Sequence, residues 1–136
     1  MEPRVGVGAV IVNDRGEWLL MKRKCSPEAG LWRLPGGKVD WMETIEEAIV
    51  REVKEELGIW IKLHRLLGVT NHLLPEEQAH WVAPTFLATI DEGTPSIQEP
   101  EKHQSFIWLH PDEFANDITK TTKSALYFYR TIGNIK

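Results

Sequence analysis

The stretch from Gly37 to Ile59, GKVDWMETIEEAIVREVKEELGI, carries the reading of the fold. Thr44 is placed to cap a helix, Glu47 three residues on completes a capping box, and Gly58 is placed to end it. On a helical wheel Glu52, Glu55 and Glu56 fall within an arc about 100° wide, being spaced i, i+3, i+4. Ile45, Ala48 and Ile49 lie on the same side one or two turns earlier. The stripe therefore begins as a core-facing apolar face and ends as a carboxylate cluster. From Glu43 to Leu57 six acidic residues meet two basic ones, Arg51 and Lys54, a net charge of -4 that equals that of the whole chain. Like charges at these spacings each cost a helix roughly 0.2–0.5 kcal/mol. Acid in the last turn opposes the helix dipole by a further ~0.3–1 kcal/mol per charge. Local rules broken together mark a site. Three carboxylates plus a backbone carbonyl make an all-oxygen set that suits Mg²⁺ or Mn²⁺ rather than zinc. A solvated acidic face answered by Arg51, Lys54 or a distant arginine accounts equally for the spacing.

Outward from this helix the chain reads mostly as strands. Val5–Val12 is apolar and β-rich, the turn Asn13-Asp14-Arg15-Gly16 follows, and Glu17–Arg23 forms a second strand. Ser26 to Gly30 reads as loop. Leu34-Pro35-Gly36-Gly37 reads as a turn, because its proline and paired glycines suit neither helix nor strand interiors. Ile59–Thr70 and Trp81–Ile90 are expected as strands around a loop at Pro75, and Gln104–Leu109 as another. Pro111 opens a short helical piece, and Thr121–Ile132 is an amphipathic helix. Two helices among these strands predict an α/β fold with a mixed sheet between helices.

The chain has 136 residues, 42% hydrophobic and 26% charged, which is ordinary globular composition and the length of one domain, residues 1–136. The longest apolar run, Val5–Val12, is far short of the ~20 residues that span a bilayer, so no membrane partner is expected. No basic start with an apolar stretch and cleavage site appears, and the single cysteine, Cys25, cannot form an internal disulfide or a cysteine zinc cage. A disulfide-free cytoplasmic protein is the simplest expectation. A duplex nucleic-acid binder would carry a basic stripe, and none is visible.

The wider spacing resembles a known signature. Gly37, five residues, Glu43, seven residues, Arg51-Glu52-Val53, one residue, Glu55-Glu56, one residue and Gly58-Ile59 matches the Nudix hydrolase box, G-x5-E-x7-R-E-U-x-E-E-x-G-U with U apolar, at all nine specified positions. Seven of them demand one residue type, so a chance match is on the order of one in a billion per starting point. The flanks Leu31-Trp32-Arg33-Leu34-Pro35-Gly36-Gly37 and the Trp108 strand also resemble the family.

The resemblance implies an α/β/α sandwich whose loop–helix–loop box, residues 37–59, holds a metal that hydrolyses a nucleoside diphosphate linked to a group X. The ligands would then be Glu52 and Glu56, with Glu55 as a further ligand or the general base, Glu52 remaining open as the base, and the Gly37 carbonyl completing part of the shell. Glu43 and Arg51 would be an ion pair behind the ligands that keeps loop and helix in register. Mg²⁺ suits the chemistry because it neutralises a pyrophosphate and lowers the pKa of a bound water while a carboxylate takes the proton; Mn²⁺ is expected to substitute. Arg23 and Lys38 are candidate phosphate contacts, and Glu99 or Glu101 a candidate extra metal ligand from a later loop.

Arg4-Val5-Gly6-Val7-Gly8, Lys22-Arg23-Lys24, Val69-Thr70-Asn71 and Glu99-Pro100-Glu101-Lys102 resemble the MutT-type subgroup, which cleaves (deoxy)nucleoside triphosphates, oxidised guanine forms included, in nucleotide-pool sanitation. The eukaryotic-type members it resembles are dimers, so a homodimer is implied. ADP-ribose or a nucleotide sugar is the competing substrate, on the strength of Pro75. A non-catalytic nucleotide-binding module is the reading from another class; such modules lose box glutamates, and this chain keeps all four. Trp32, Trp81 and Phe86 are candidates for base stacking, and His72 and His80 for the pocket or its rim. His64, His103 and His110 read as structural or surface.

Overall fold

Val7, Ala9 and Ile11 lie on one face of the first strand and Val10 on the other, all buried. A strand apolar on both faces must be covered on both, and this requirement sets the layers. In the computed structural model, which describes residues 2–25 and 28–133, β1 (Arg4–Ile11), β4 (Gly36–Lys38), β5 (Trp60–Leu74) and β6 (Ala79–Glu92) form a mixed sheet in the order β4-β1-β6-β5. β1 runs parallel to β6 and antiparallel to β4. β2 (Trp18–Arg23), β3 (Trp32–Arg33) and β7 (His103–Leu109) form a second, antiparallel sheet in the order β3-β2-β7. The mixed sheet expected between the helices is present, and a second, antiparallel sheet accompanies it. After one bridge between Val12 and Trp18, β1 and β2 part and take different partners.

Helix α1 (Ile45–Leu57) seals one side and α2 (Lys120–Gly133) the other. Ala48, Ile49, Val53 and Leu57 of α1 join Val7, Ala9, Ile11, Leu19 and Met21 in one core cluster. Val10, Trp18, Leu20 and Leu67 meet Ala125 and Phe128 in the other. Alternate residues of β1 and β2 therefore feed opposite cores, which is the α/β/α sandwich.

Both caps of α1 form as its sequence requires. Thr44 Oγ1 accepts from the Glu47 N–H at 3.0 Å, the Glu47 carboxylate accepts from the Thr44 N–H at 2.9 Å, and Gly58 closes the helix at φ 72°. Gly36 and Gly37 depart from expectation: they lie in β4, paired with Gly8 and Val7, and not in a turn. A Cβ on Gly36 would run into the Val7 carbonyl, so glycine here marks two backbones in close approach. The β5–β6 hairpin is also longer than read. Its ladder continues from Thr70↔Ala83 to Leu74↔Ala79, and a single 3₁₀ turn at Pro75–Glu77 closes it. Of the loop expected from Ser26, residues 26 and 27 lie outside the described residues.

Candidate active site

The C-terminal half of α1 faces β4 because the apolar face of the helix docks on β1, and this sets its carboxylates beside the Gly36–Gly37 backbone. Glu56 is 3% exposed. Its Oε1 accepts from the Gly36 N–H at 2.8 Å and its Oε2 from Arg33 Nη1 at 3.2 Å. Burial pushes the Glu56 carboxyl up to about 7, against the pull of Arg33. Glu52 presses against Gly37 so closely that a Cβ there would overlap its carboxylate. Burial raises its pKa too, opposed by Arg51.

Arg51 organises the outer side of the cluster. Its Nε and Nη2 donate to the two oxygens of Glu43 at 2.7 and 2.9 Å, and Nη2 also reaches the Lys38 carbonyl at 3.0 Å. Its Nη1 donates to Glu52 at 2.9 Å and Glu55 at 2.8 Å. Hydrogen bonds from Arg51 hold the Glu43 carboxyl down to about 2, well below the usual carboxylate range. Loop, helix start and helix end are thereby fastened through one guanidinium. Lys54 takes no part; its Nζ lies 5.0 Å over the Trp60 ring.

The arginines that could answer a merely solvated acidic face are thus present, as Arg51 and Arg33. Among the described residues no three His, Cys, Asp or Glu side chains already converge as a metal-ligand group. Two observations nevertheless fit a divalent cation. Asp40, Glu43, Glu52, Glu55 and Glu56 outnumber the two arginines that bind them, Arg33 and Arg51, by three charges when all are ionised, an excess that a divalent cation would relieve. The gap that a Cβ on residue 37 would fill brings a carboxylate against a bare backbone, and every donor there is oxygen, as Mg²⁺ and Mn²⁺ prefer.

A cavity of about 290 Å³ adjoins this cluster. Arg23, Arg33, Gly37 and Lys38 line it together with Gly6, Gly8, His72, Trp81, Ala83 and Thr85. Arg23 and Lys38, remote in sequence, therefore share one cavity. Burial and the nearby Arg33 lower the Arg23 pKa, and its Nε donates to the Cys25 carbonyl at 3.3 Å. Of the stacking candidates Trp81 lines the cavity, Phe86 is buried in the core and Trp32 lies under Lys22. His72 lines the cavity, while His80 lies with Arg4 and Pro75 in a different depression. His64 bonds Thr89, and His110 caps the turn at Pro111. Of the two later-loop acids, Glu99 is the one whose charge raises the Glu56 pKa, whereas Glu101 is exposed.

Sequence reasoning gave no role to Arg33 and left His103 as structural or surface. His103 is 2% exposed, and its Nε2 lies 2.8 Å from Arg33 Nη1. The two are seventy positions apart, so no local spacing announces them; only the strand order β3-β2-β7 brings them together.

The chain is 36% identical over 110 residues to an ADP-ribose pyrophosphatase of Methanocaldococcus jannaschii, over 81% of this chain and 64% of that protein, so it spans just under two thirds of that relative. It is 32% identical over 113 residues to the CTP pyrophosphohydrolase of Escherichia coli, over 80% of this chain and 78% of that one. A crystal structure of a MutT NUDIX hydrolase from Burkholderia pseudomallei matches with a TM-score of 0.86 at 48% identity, covering 93% of this chain and 98% of that one. The NUDIX domain model matches residues 2–131, and the chain belongs to that family.

Proposed function

We propose that the chain is a Mg²⁺-dependent hydrolase of phosphoric anhydride bonds, a nucleotide pyrophosphatase that accepts Mn²⁺ in place of Mg²⁺. Its substrate is a nucleoside diphosphate linked to X, foremost a (deoxy)nucleoside triphosphate or its oxidised form, cut to the monophosphate and pyrophosphate. The observation that carries this reading is the Glu52 carboxylate held against Gly37 at the edge of a cavity that also bears Arg23, Arg33 and Lys38. The carboxylate cluster reaches the cavity at Gly37, which lines it together with Arg23 and Lys38, so the partners that a metal and an anionic phosphate require are neighbours.

Glu52, Glu55, Glu56 and the Gly37 carbonyl are the proposed ligands, with Glu99 the better placed of the two later-loop acids and Glu101 the alternative. When bound, Mg²⁺ supplies charge neutralisation and a water of lowered pKa. Glu55, the most exposed of the three helix carboxylates, would serve as the general base, with Glu52 the alternative. Arg23 and Lys38 bind phosphate oxygens, and Glu43 with Arg51 keeps loop and helix aligned. We further propose a single cytoplasmic domain acting as a homodimer on small nucleotides to clear damaged ones; among the described residues no helix is long and apolar enough to cross a membrane.

The archaeal relative named for ADP-ribose favours a second substrate, ADP-ribose or a nucleotide sugar, on the same machinery. The test is a hydrolysis screen with Mg²⁺ over unmodified and 8-oxo (d)NTPs, ADP-ribose, nucleotide sugars and dinucleoside polyphosphates, with Glu56→Gln alongside. Monophosphate plus pyrophosphate from a triphosphate, lost in the variant and on chelation, is the expected outcome. Cleavage of ADP-ribose alone moves the substrate to the second reading. Tight nucleotide binding without turnover makes the chain a binding module.

A further inference from the structure

We infer that Arg33 and His103 are a positioning pair that holds Glu56 and the Gly36–Gly37 backbone in register for the divalent cation, an inference that rests on the metal-dependent reading above. Arg33 engages three acceptors at once: Nη1 reaches Glu56 Oε2 at 3.2 Å and His103 Nε2 at 2.8 Å, and Nη2 donates to the Gly36 carbonyl at 2.6 Å. The Gly36 N–H in turn donates to the other Glu56 oxygen at 2.8 Å. One planar fork therefore fixes a carboxylate of the helix end and the peptide that precedes Gly37. An ionised carboxylate offers about four lone-pair directions, so two remain for a cation after these contacts.

His103 gives the fork its direction. Because Arg33 has only N–H donors, His103 Nε2 must accept, which puts the ring proton on Nδ1 and leaves the imidazole neutral. That Nδ1 is buried with no partner among the described residues. The ring is thus bound to the site through its Arg33 face. β7 presents it beside a register shift in the β2–β7 ladder between Met21 and Arg23, where His103 pairs with Arg23. Such irregularities re-aim side chains next to sites. Arg33 arrives from the other side of β2, opposite Met21.

Two simpler roles for Arg33 make different predictions. As a phosphate-binding charge in the cavity wall it would be replaceable by lysine. As a nearby positive charge it would only repel the cation, and its removal would tighten metal binding. A positioning fork is lost in both replacements.

The test measures Mn²⁺ dissociation constants by electron paramagnetic resonance without nucleotide, on wild type, Arg33→Lys, Arg33→Gln, His103→Leu and His103→Gln, each checked by melting, with kcat and KM on the hydrolysed nucleotide. Loss of a residue that orients a ligand costs about 10–100-fold in metal affinity or activity. That weakening is expected in both Arg33 variants and in His103→Leu, with kcat falling more than KM rises. His103→Gln, whose side-chain oxygen keeps an acceptor near Nε2, should recover most of it; the contrast between the two His103 variants also carries the test if an Arg33 variant does not fold. Unchanged Mn²⁺ affinity in Arg33→Lys with KM alone raised, or tighter binding in Arg33→Gln, overturns the inference. Equal losses in His103→Leu and His103→Gln remove His103 from it. A wild type that binds no Mn²⁺ overturns the metal-dependent reading itself, a result separable from the others because it needs no variant.

Discussion

Two neighbouring glycines and two oppositely shifted acids set what single residues do here. The atoms nearest a Cβ on Gly37 are those of the Glu52 carboxylate, the end of a flexible side chain, whereas one on Gly36, whose φ is 154°, would meet the backbone of Val7. Gly37→Ala should therefore fold and melt close to wild type but lose about 100-fold in turnover, the typical cost of a misplaced group. Gly36→Ala should lose about 1–3 kcal/mol of stability for its strained backbone. Melting curves beside steady-state rates test the contrast, and equal Tm losses would refute it. The shifted acids act on pH dependence. Burial raises Glu56 from 4.5 to about 7, so its contribution to stability is complete below 4.5 and is lost as pH rises through 7. Burial, with Arg33 adding, lowers His103 from 6.5 to about 4, so its contribution is complete above 6.5 and is lost as pH falls through 4. Across the shared window the two slopes oppose each other. In chelator, Glu56→Gln should lose Tm on going from pH 7 to 5 relative to wild type, and His103→Gln should gain it. Superimposable pH profiles would show that neither group titrates as its burial demands.

Helix α1 carries its own instructions, and β4 does not. The capping box, the apolar stripe and Gly58 are all local, and they place the ends of α1 where the sequence puts them. Thr44→Ala removes the bond from the Glu47 N–H while the Glu47 carboxylate keeps its own bond to the Thr44 backbone. The cost should be about 1 kcal/mol, read as a fall in Tm of roughly 2–4 °C for a domain of this size. Metal affinity should hold, because Glu52, Glu55 and Glu56 occupy the opposite end; a fall in Mn²⁺ affinity matching a loss of ligand would contradict this. β4 was illegible because Pro35-Gly36-Gly37 has turn chemistry, and only the approach of β1, about thirty residues earlier, makes it a strand. The same distinction divides the site. Glu43, Arg51, Glu52, Glu55 and Glu56 share one helix and its leading loop, so their spacing is visible. Arg33 and His103 meet through strand order, and the length of the hairpin past Thr70 depends on pairing with Ala79–Ala83.

At the scale of the molecule, the two cores divide the labour. The α1 cluster supports the carboxylates, while the α2 cluster lies across β1 and β2 and supplies Thr119 and Thr121, near the start of α2, to the cavity wall. α2 seats on β5 where Gly68 leaves room for Phe128; a Cβ at residue 68 would stand 2.6 Å from the Phe128 ring. The clash falls on the root of the ring, which is partly buried and packs against the cluster of Trp18, Leu20 and Leu67. Gly68→Ala should therefore push α2 outward at a cost of about 1–3 kcal/mol, as overpacked cores do. The displacement reaches the cavity through Thr119 and Thr121, whereas α1 packs against β4, β1 and β5 in the core cluster that does not contain Phe128. Nucleotide KM should rise, and the Mn²⁺ dissociation constant measured without nucleotide should stay at its wild-type value. Parallel losses of both affinities would mean that the two cores move as one body and that the cation site is not insulated from α2. A raised KM with intact metal binding would show that the sandwich separates holding the cation from shaping the space for the nucleotide.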